Sequence, residues 1–346
     1  MIRLGVVGYG YWGPNVVRNF AEVPGCRLVA VSDLRADRLA AVRSRYPGIE
    51  TFTDPRELVT DRRIDAVAIV TPVSTHFELA MLALRAGKHV LVEKPLAATS
   101  DEAVRLVDEA DRRGLVLSVD HTFVYTGAVR KIRELVTTGS LGDIYYYDSV
   151  RVNLGLFQHD VNVLWDLAVH DLAIMDHVLP AQPCAVSATG MSHLGGEPEN
   201  IAYLTLFFDS CLIAHLHVNW LAPVKVRRTL IGGSRTMIVY DDLEPSEKIK
   251  VYDKGVTVNG NGNGNGTQEY RMLVDYRSGD MCAPRIDIAE ALSTEARHFI
   301  SCIDQRQPTM TDGQSGLRVV RVLEAATRSI AERGRVVELD TFGVAV

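Results

Sequence analysis

Three groups of residues have the types and spacing to do chemistry. In NVLWDLAVHDLAIMDHV (162–178), Asp166 and His170 stand four residues apart, so a helix would carry them one turn apart on one face. Leu164, Leu167, Leu172, Ile174, Met175 and Val178 can form its buried side. Such a pair is either the polar edge of a core helix or an acid–base pair held up to a substrate. The second group is Gly8-Tyr9-Gly10-Tyr11-Trp12-Gly13, a G-x-G-x-x-G that follows an apolar strand and opens a helix. Its glycines permit a tight turn, and the helix N-terminus offers free N–H groups to a pyrophosphate. Asp33 ends the next strand, 20 residues past Gly13, where a carboxylate can bind adenosine ribose hydroxyls. Set against a plain strand–turn–helix, this context favours a dinucleotide. Asp33 favours NAD because its charge repels a 2′-phosphate, although Arg35 and Arg38 lie close enough to leave NADP as the lesser alternative. Tyr11 and Trp12 either wall that pocket or pack the first helix. The third group is Thr71-Pro72 and Glu93-Lys94-Pro95, each ending a strand at the carboxyl edge of the sheet, where ligands of open α/β folds bind. Lys94 is either an exposed charge paired with Glu93 or a group that stabilises a developing alkoxide beside a nicotinamide.

The elements that must position these groups are legible in the patterning. Nearly continuous apolar runs at 3–8, 27–33, 66–70, 89–93 and 115–120 alternate with helical segments near 13–22, 36–45, 75–86 and 101–113. Strands joined by helical crossovers, apolar on both faces, predict a doubly wound parallel sheet of the Rossmann type over 1–121. From 122 to 346 the texture changes to an α+β domain with an open, mostly antiparallel sheet. A helix over 127–138 leads to a strand at 143–154, the Asp166 helix and a series of strands from 183 to 253. IAYLTLFF-DS-CLIAHLHV is a hairpin, and helices at 288–303 and 315–333 close the chain. NGNGNGNG at 259–266 is a low-complexity turn with no chemistry of its own.

Bulk properties narrow the function. A formal charge of −6, from 37 basic and 43 acidic residues, gives no reason to expect nucleic acid or an anionic membrane as partner. The five cysteines are scattered without a C-x-x-C pair, which suits reduced thiols in a cytoplasm and not a disulfide framework or structural zinc. No signal peptide or membrane span is visible. A zinc set of His159, Asp160, His170 and Asp171 matches no zinc spacing, so no metal is expected.

The block T-P-x-x-T-H (71–76) with A-G-K-H-V-x-x-E-K-P-L-A (86–97), following G-x-G-x-x-G, resembles the glucose–fructose oxidoreductase/inositol dehydrogenase (Gfo/Idh/MocA) family over nearly the whole chain. The resemblance implies an N-terminal NAD(P)-binding Rossmann domain and a C-terminal domain whose open sheet carries the substrate and the oligomer contact, in a homodimer or homotetramer. It places the family's Lys on Lys94, and its D-x-G-x-H motif on Asp166 through His170, with Ala168 replacing the glycine. Thr71, Pro72, His76 and Glu93 join Gly8, Gly10, Gly13, Asp33 and Arg38 as expected coenzyme contacts. The opening alternatives then combine: the helix buries its apolar side and presents Asp166 and His170, with His170 as the general base.

Tyr125, Arg151, Asn153, His159 and Asn162 lie on segments expected to face the nicotinamide, each as substrate contact or as structural residue. Arg151, Asn153, His159 and Asn162 with Asp166 and His170 mix donors and acceptors with one fixed cation, which suits a polyhydroxylated ring better than a dicarboxylate or an apolar alcohol. Arg151 and Arg130 are the nearest cations for a nucleotide diphosphate. The G-Y-G-Y-W-G-P-N start (8–15) and the W-D-L-A-V-H-D block (165–171) resemble the family's sugar-nucleotide 3-dehydrogenase branch, which implies oxidation of a secondary ring hydroxyl at C3 of a sugar, nucleotide sugar or aminosugar, as in aminosugar antibiotic pathways. A cyclitol dehydrogenase is the alternative within enzymes, along with redox-neutral glycoside cleavage through a keto sugar. An NAD(H)-binding regulator without turnover is the alternative outside them, although it would be expected to lack Lys94 or His170.

Overall fold

The computed structural model describes residues 1–155, 161–193, 195, 198–259 and 273–339. Among these, Met1–Val129, Leu164–His177 and Asp287–Arg328 form one compact unit. Strands β1 (Ile2–Val7), β2 (Cys26–Ser32), β3 (Glu50–Phe52), β4 (Ala66–Ile69), β5 (His89–Glu93) and β6 (Leu117–Asp120) form its sheet, in the order β3-β2-β1-β4-β5-β6. Every pair is parallel. Helices α1 (Gly13–Glu22), α2 (Ala36–Arg45), α3 (Pro55–Thr60), α4 (His76–Arg85) and α5 (Ser100–Arg113) make the crossovers. The expected Rossmann sheet is therefore present, enlarged by β3 and α3. A strand of three residues carries too little periodicity to register, although Asp54, which caps α3 by accepting from Arg56 N at 2.9 Å, and Pro55 behind it mark a helix start.

Local sequence sets these helices. The Thr99 hydroxyl caps α5 by accepting from Glu102 N, while Glu102 reaches back to Ala98 N, each at 3.2 Å, and Gly114 ends the helix at φ 64°. Alternation along the strands then sorts side chains to two cores. Leu4, Val6, Val31 and Leu91 pack under Val16, Val17 and Phe20 of α1. Val7, Val67, Ile69 and Val92 pack under α4 and α5.

The chain continues through α6 (Gly127–Thr137) and α7 (Val169–Val178) to α8 (Ala291–Gln305) and α9 (Gly313–Ala331). Where the sequence reading puts one boundary at 121/122, the structure lays α8 and most of α9 on the parallel sheet. Leu292, Ala296, Phe299 and Ile300 complete the first core, and Leu317 and Val320 the second. These helices cover sheet that the five crossovers leave bare.

The second unit comprises Arg130–Val163, Val178–Ile286 and Ser329–Val346, within the described residues. Its strands are β7 (Ile144–Leu154), β8 (Ala185–Met191), β9 (Ile201–Phe207), β10 (Ile213–Asn219), β11 (Leu221–Gly233), β12 (Met237–Asp241), β13 (Ile249–Tyr252), β14 (Gly255–Asn259), β15 (Leu273–Arg277), β16 (Met281–Cys282) and β17 (Val337–Glu338). Nine of them form one sheet, β16-β13-β12-β11-β7-β10-β9-β8-β17, and β14 pairs with β15. All described pairs in the large sheet are antiparallel except β7 with β10, as expected for an open, mostly antiparallel sheet. Alternation places Leu204, Leu206, Leu216 and Val218 inside and Tyr203 and His215 outside. Residues 260–266 of the Asn-Gly run lie outside the described residues.

Phe299 tests the placement of α8. It is fully buried and meets Phe20 edge-on, with ring centroids 6.2 Å apart. Phe299→Ala should destabilise the protein by ~3–5 kcal/mol, the usual scale for emptying a core aromatic site. Chemical denaturation measures this, and a loss near zero would remove α8 from the core of the first unit.

Candidate active site

The glycine turn has the shape a dinucleotide needs. Gly8 sits at φ +100°, and a Cβ there would lie 2.3 Å from Val70 O. A Cβ on Gly13 would lie 2.4 Å from Gly8 O, so both positions exclude any side chain. At Gly10 the nearest atom to an added Cβ is Arg38 Nη1, at 3.5 Å, which leaves this peptide approachable. Asp33 follows β2 and accepts from Tyr9 N and Arg35 N, each at 2.8 Å. Arg38 Nη1 lies 3.2 Å from Asp33 Oδ2. Oδ1 accepts one bond here and has capacity for another, as a ribose hydroxyl requires. Arg35 is turned to Asp37, at 2.6 Å. Tyr11 is 90 % exposed, whereas Trp12 folds inward and donates Nε1 to Asp120 Oδ2 at 3.0 Å. The residues thus fit NAD, with a turn shaped by glycine, a helix N-terminus and a ribose carboxylate.

Lys94 follows β5 at the same carboxyl edge of the sheet as this turn, with its side chain 18 % exposed. Its ammonium does not pair with Glu93. It donates to Asp166 O at 3.1 Å and lies 3.3 Å from Asp166 Oδ1. Asp166 lies in a π-helical stretch, Leu164–Ala168, that precedes α7. The regular turn expected between Asp166 and His170 is therefore widened, a device frequent at functional sites. His170, the second residue of α7, is half-buried, its ring edge-on to Phe123 with centroids 5.0 Å apart. The structure thus brings Lys94 and Asp166 into contact and puts His170 on the same short segment.

Other expected residues have different duties. His76 is 1 % exposed, with Nδ1 2.8 Å from Pro95 O and Nε2 2.8 Å from Thr71 O. Two carbonyl acceptors favour the imidazolium, but burial outweighs them and, with Lys94, holds the ring below its ordinary pKa. With both nitrogens committed, His76 pins the Lys94–Pro95 loop to the end of β4. Thr71 Oγ1 is 2.7 Å from Thr75 Oγ1, and Pro72 is exposed. Tyr125 is fully buried, its hydroxyl 3.1 Å from His298 Nδ1 and 3.2 Å from Thr311 Oγ1, the surroundings of a structural residue. Its place just past β6 suggested the edge of the sheet, but α8 covers it.

In the second unit, Arg151 is 3 % exposed on β7, and Asn153 is half-buried two residues on. Asn162 is 7 % exposed and donates to Glu199 Oε2 at 3.0 Å. Arg130 is half-buried on α6. His159 and Asp160 lie outside the described residues. Among the described residues no three His, Cys, Asp or Glu are placed to hold a metal.

Three residues escaped the sequence reading. Asp120 ends β6 in register with Glu93 at the end of β5, a placement that strand-edge logic could have found. His121 follows it, 2 % exposed, with neither ring nitrogen hydrogen-bonded among the described residues. Burial, then the Lys94 charge, hold it down at about 3, so it is neutral. Glu295 comes from α8 with no local signal. A cavity of about 310 Å³ at the other end of β5 and β6, lined by His89, Asp111, Arg306 and Gln314, holds none of these groups.

Comparison with known proteins places this geometry. Residues 2–121 match the oxidoreductase family, NAD-binding Rossmann fold, and residues 129–239 match the GFO/IDH/MocA C-terminal domain. UDP-N-acetylglucosamine 3-dehydrogenase of Acidithiobacillus ferrooxidans is 28 % identical over 92 % of this chain and 94 % of its own. Its solved structure superposes with a TM-score of 0.80 at 25 % identity, covering 96 % of this chain and 98 % of that one. The scyllo-inositol 2-dehydrogenase (NADP(+)) IolW of Bacillus subtilis is 26 % identical over 96 % of this chain and 94 % of its own.

Glu93 carries a pH signature. Burial, then the Asp120 carboxylate, push its pKa up from 4.5 to about 8. The folded protein therefore binds this proton more tightly than the unfolded chain does. Its stabilising effect is complete below pH 4.5 and lost as pH rises to about 8. Glu93→Gln should flatten the fall in melting temperature across that window; an unchanged slope would show that Glu93 ionises normally.

Proposed function

As the chain belongs to the Gfo/Idh/MocA family of NAD-binding oxidoreductases, we propose that it oxidises a secondary ring hydroxyl, at C3 of a hexose-derived sugar, nucleotide sugar or aminosugar. The observation that carries this reading is the Lys94 ammonium held on Asp166, one short segment from His170 and at the same edge of the sheet as the glycine turn. NAD, when bound, supplies the acceptor for the hydride that leaves the carbinol carbon. His170 takes the hydroxyl proton as general base, and returns it in the reverse reduction. Lys94 donates a hydrogen bond to the same oxygen and stabilises the alkoxide as it forms. Asp166 accepts from a neighbouring hydroxyl and keeps the ammonium oriented. Arg151, Asn153 and Asn162 are the proposed substrate contacts of the second unit.

Similarity to a UDP-N-acetylglucosamine 3-dehydrogenase supports the sugar and the position. The inositol dehydrogenase relative keeps a cyclitol as the second reading. Asp33 supports NAD over NADP, with Arg38 as the group that would receive a 2′-phosphate. The reading also includes a cytoplasmic homodimer or homotetramer. Free cysteines support the compartment, and exposed Met191, Tyr203 and Val224 support the assembly. No described helix is long and apolar enough to cross a membrane.

Lys94→Met and His170→Ala should each lower kcat by ~10²-fold or more, the usual loss for a proton-transfer group. NAD affinity should change far less. Near-normal turnover of His170→Ala across neutral pH would move the base to Asp166.

The substrate is tested by following NADH and NADPH formation with UDP- and TDP-linked sugars, free aminosugars and inositols. Activity with a linked sugar and NAD is expected. Inositol oxidation alone would select the second reading, and oxidation of simple alcohols or 2-hydroxy acids without any sugar would overturn both.

A further inference from the structure

The coenzyme turn is tied to the interior by buried acids that the proposed mechanism leaves unused. Trp12 Nε1 donates to Asp120 Oδ2 at 3.0 Å, and Asp120 Oδ1 accepts from the Thr122 hydroxyl. Asp120 is 3 % exposed. Glu295, on α8, is fully buried within hydrogen-bonding reach of Asp120. Neither of its oxygens has a hydrogen-bond partner among the described residues, and the one donor within reach, the Thr122 hydroxyl, is turned to Asp120. Two ionised carboxylates offer each other only acceptors, and the single Thr122 hydroxyl proton is committed to Asp120. A buried carboxylate without a donor is a costly state, whereas one proton between the two acids turns their repulsion into a hydrogen bond.

We propose that Glu295 is a positioning residue for the coenzyme turn: protonated, it donates to Asp120, and the carboxylate so held fixes the Trp12 indole against the end of β6. Asp120 then accepts from three donors supplied by the turn, by the segment after β6 and by α8. The charged and titratable groups around this pair are Glu93 from β5, Tyr125 and the neutral His121 from the segment after β6, and Lys94 just past β5, which acts on Glu93 and His121. Burial, then Asp120, place Glu295 well above the usual carboxylate range. The inference rests on NAD binding by the first unit and not on the sugar reading, so an enzyme that binds NADH but oxidises no sugar leaves it intact.

The test is calorimetric titration of the full chain with NADH. Trp12→Phe keeps the ring and removes the donor, and Glu295→Leu keeps the volume and removes the proton. Each should weaken NADH binding by about threefold to tenfold, the scale of one hydrogen bond. The double variant should bind no more weakly than either single one, because both break the same link. Glu295→Gln, whose amide donates without titrating, should bind like the wild type. An infrared carbonyl band of a protonated acid should be present at neutral pH and diminished in Glu295→Gln. Wild-type affinity in Glu295→Leu, additive losses in the double variant, or a band unchanged in Glu295→Gln would each overturn the proposal. Should Glu295→Leu fail to fold, the infrared comparison decides alone.

Discussion

The contact between Lys94 and Asp166 is the interaction on which the site depends. A partly buried ammonium needs acceptors, and both of these come from one residue, a backbone carbonyl and a carboxylate oxygen. That residue must be held still. Trp165 Nε1 donates to Thr327 Oγ1 at 3.0 Å, and Arg318 grips Asp176 with two bonds of 2.7 and 2.8 Å. Helix α9 thus anchors the segment from both ends, while His76 anchors Lys94 from the side of β4. Rigidity at the proposed reacting groups is assembled from pairings made by their neighbours in the chain.

Charge at this edge of the sheet is governed by burial. Glu93 holds its proton to about 8, and His121 stays neutral down to about 3. Two groups that look ionic or basic in the sequence are therefore neutral near pH 7. Lys94 consequently faces its ligands without an ionised carboxylate from the end of β5 to cancel it, and among the described residues Asp166 supplies the acceptors that set its direction. A neutral Glu93 can also donate a hydrogen bond, which a carboxylate cannot.

Much of this was legible in the sequence, for physical reasons. Strands buried on both faces are apolar throughout, and the glycine turn tolerates no other residue at Gly8 or Gly13, so the Rossmann half announced itself. Lys94 and Asp166 stood out because their spacing and flanks are specific. What stayed hidden depends on distant packing. The π-helical turn at 164–168 has the apolar period of an ordinary helix. His76 could be placed by its motif, but that both nitrogens meet carbonyls is visible only once β4 and the Pro95 loop are adjacent. Tyr125 and Glu295 were obscured by the same cause, since α8 arrives from the far end of the chain and no local pattern says what it covers.

That late arrival has a consequence for biosynthesis. The parallel sheet is complete in sequence at β6, yet part of each face waits for α8 and α9, which leave the ribosome only after all the strands of the second unit except β17. Until then an apolar surface on the nascent coenzyme-binding half lies open to solvent and to wrong partners. Vectorial completion, one half after the other, is closed to this chain. The last helices act as a clasp, and the glycine turn reaches its final setting on Asp120 and Glu295 only when the clasp shuts.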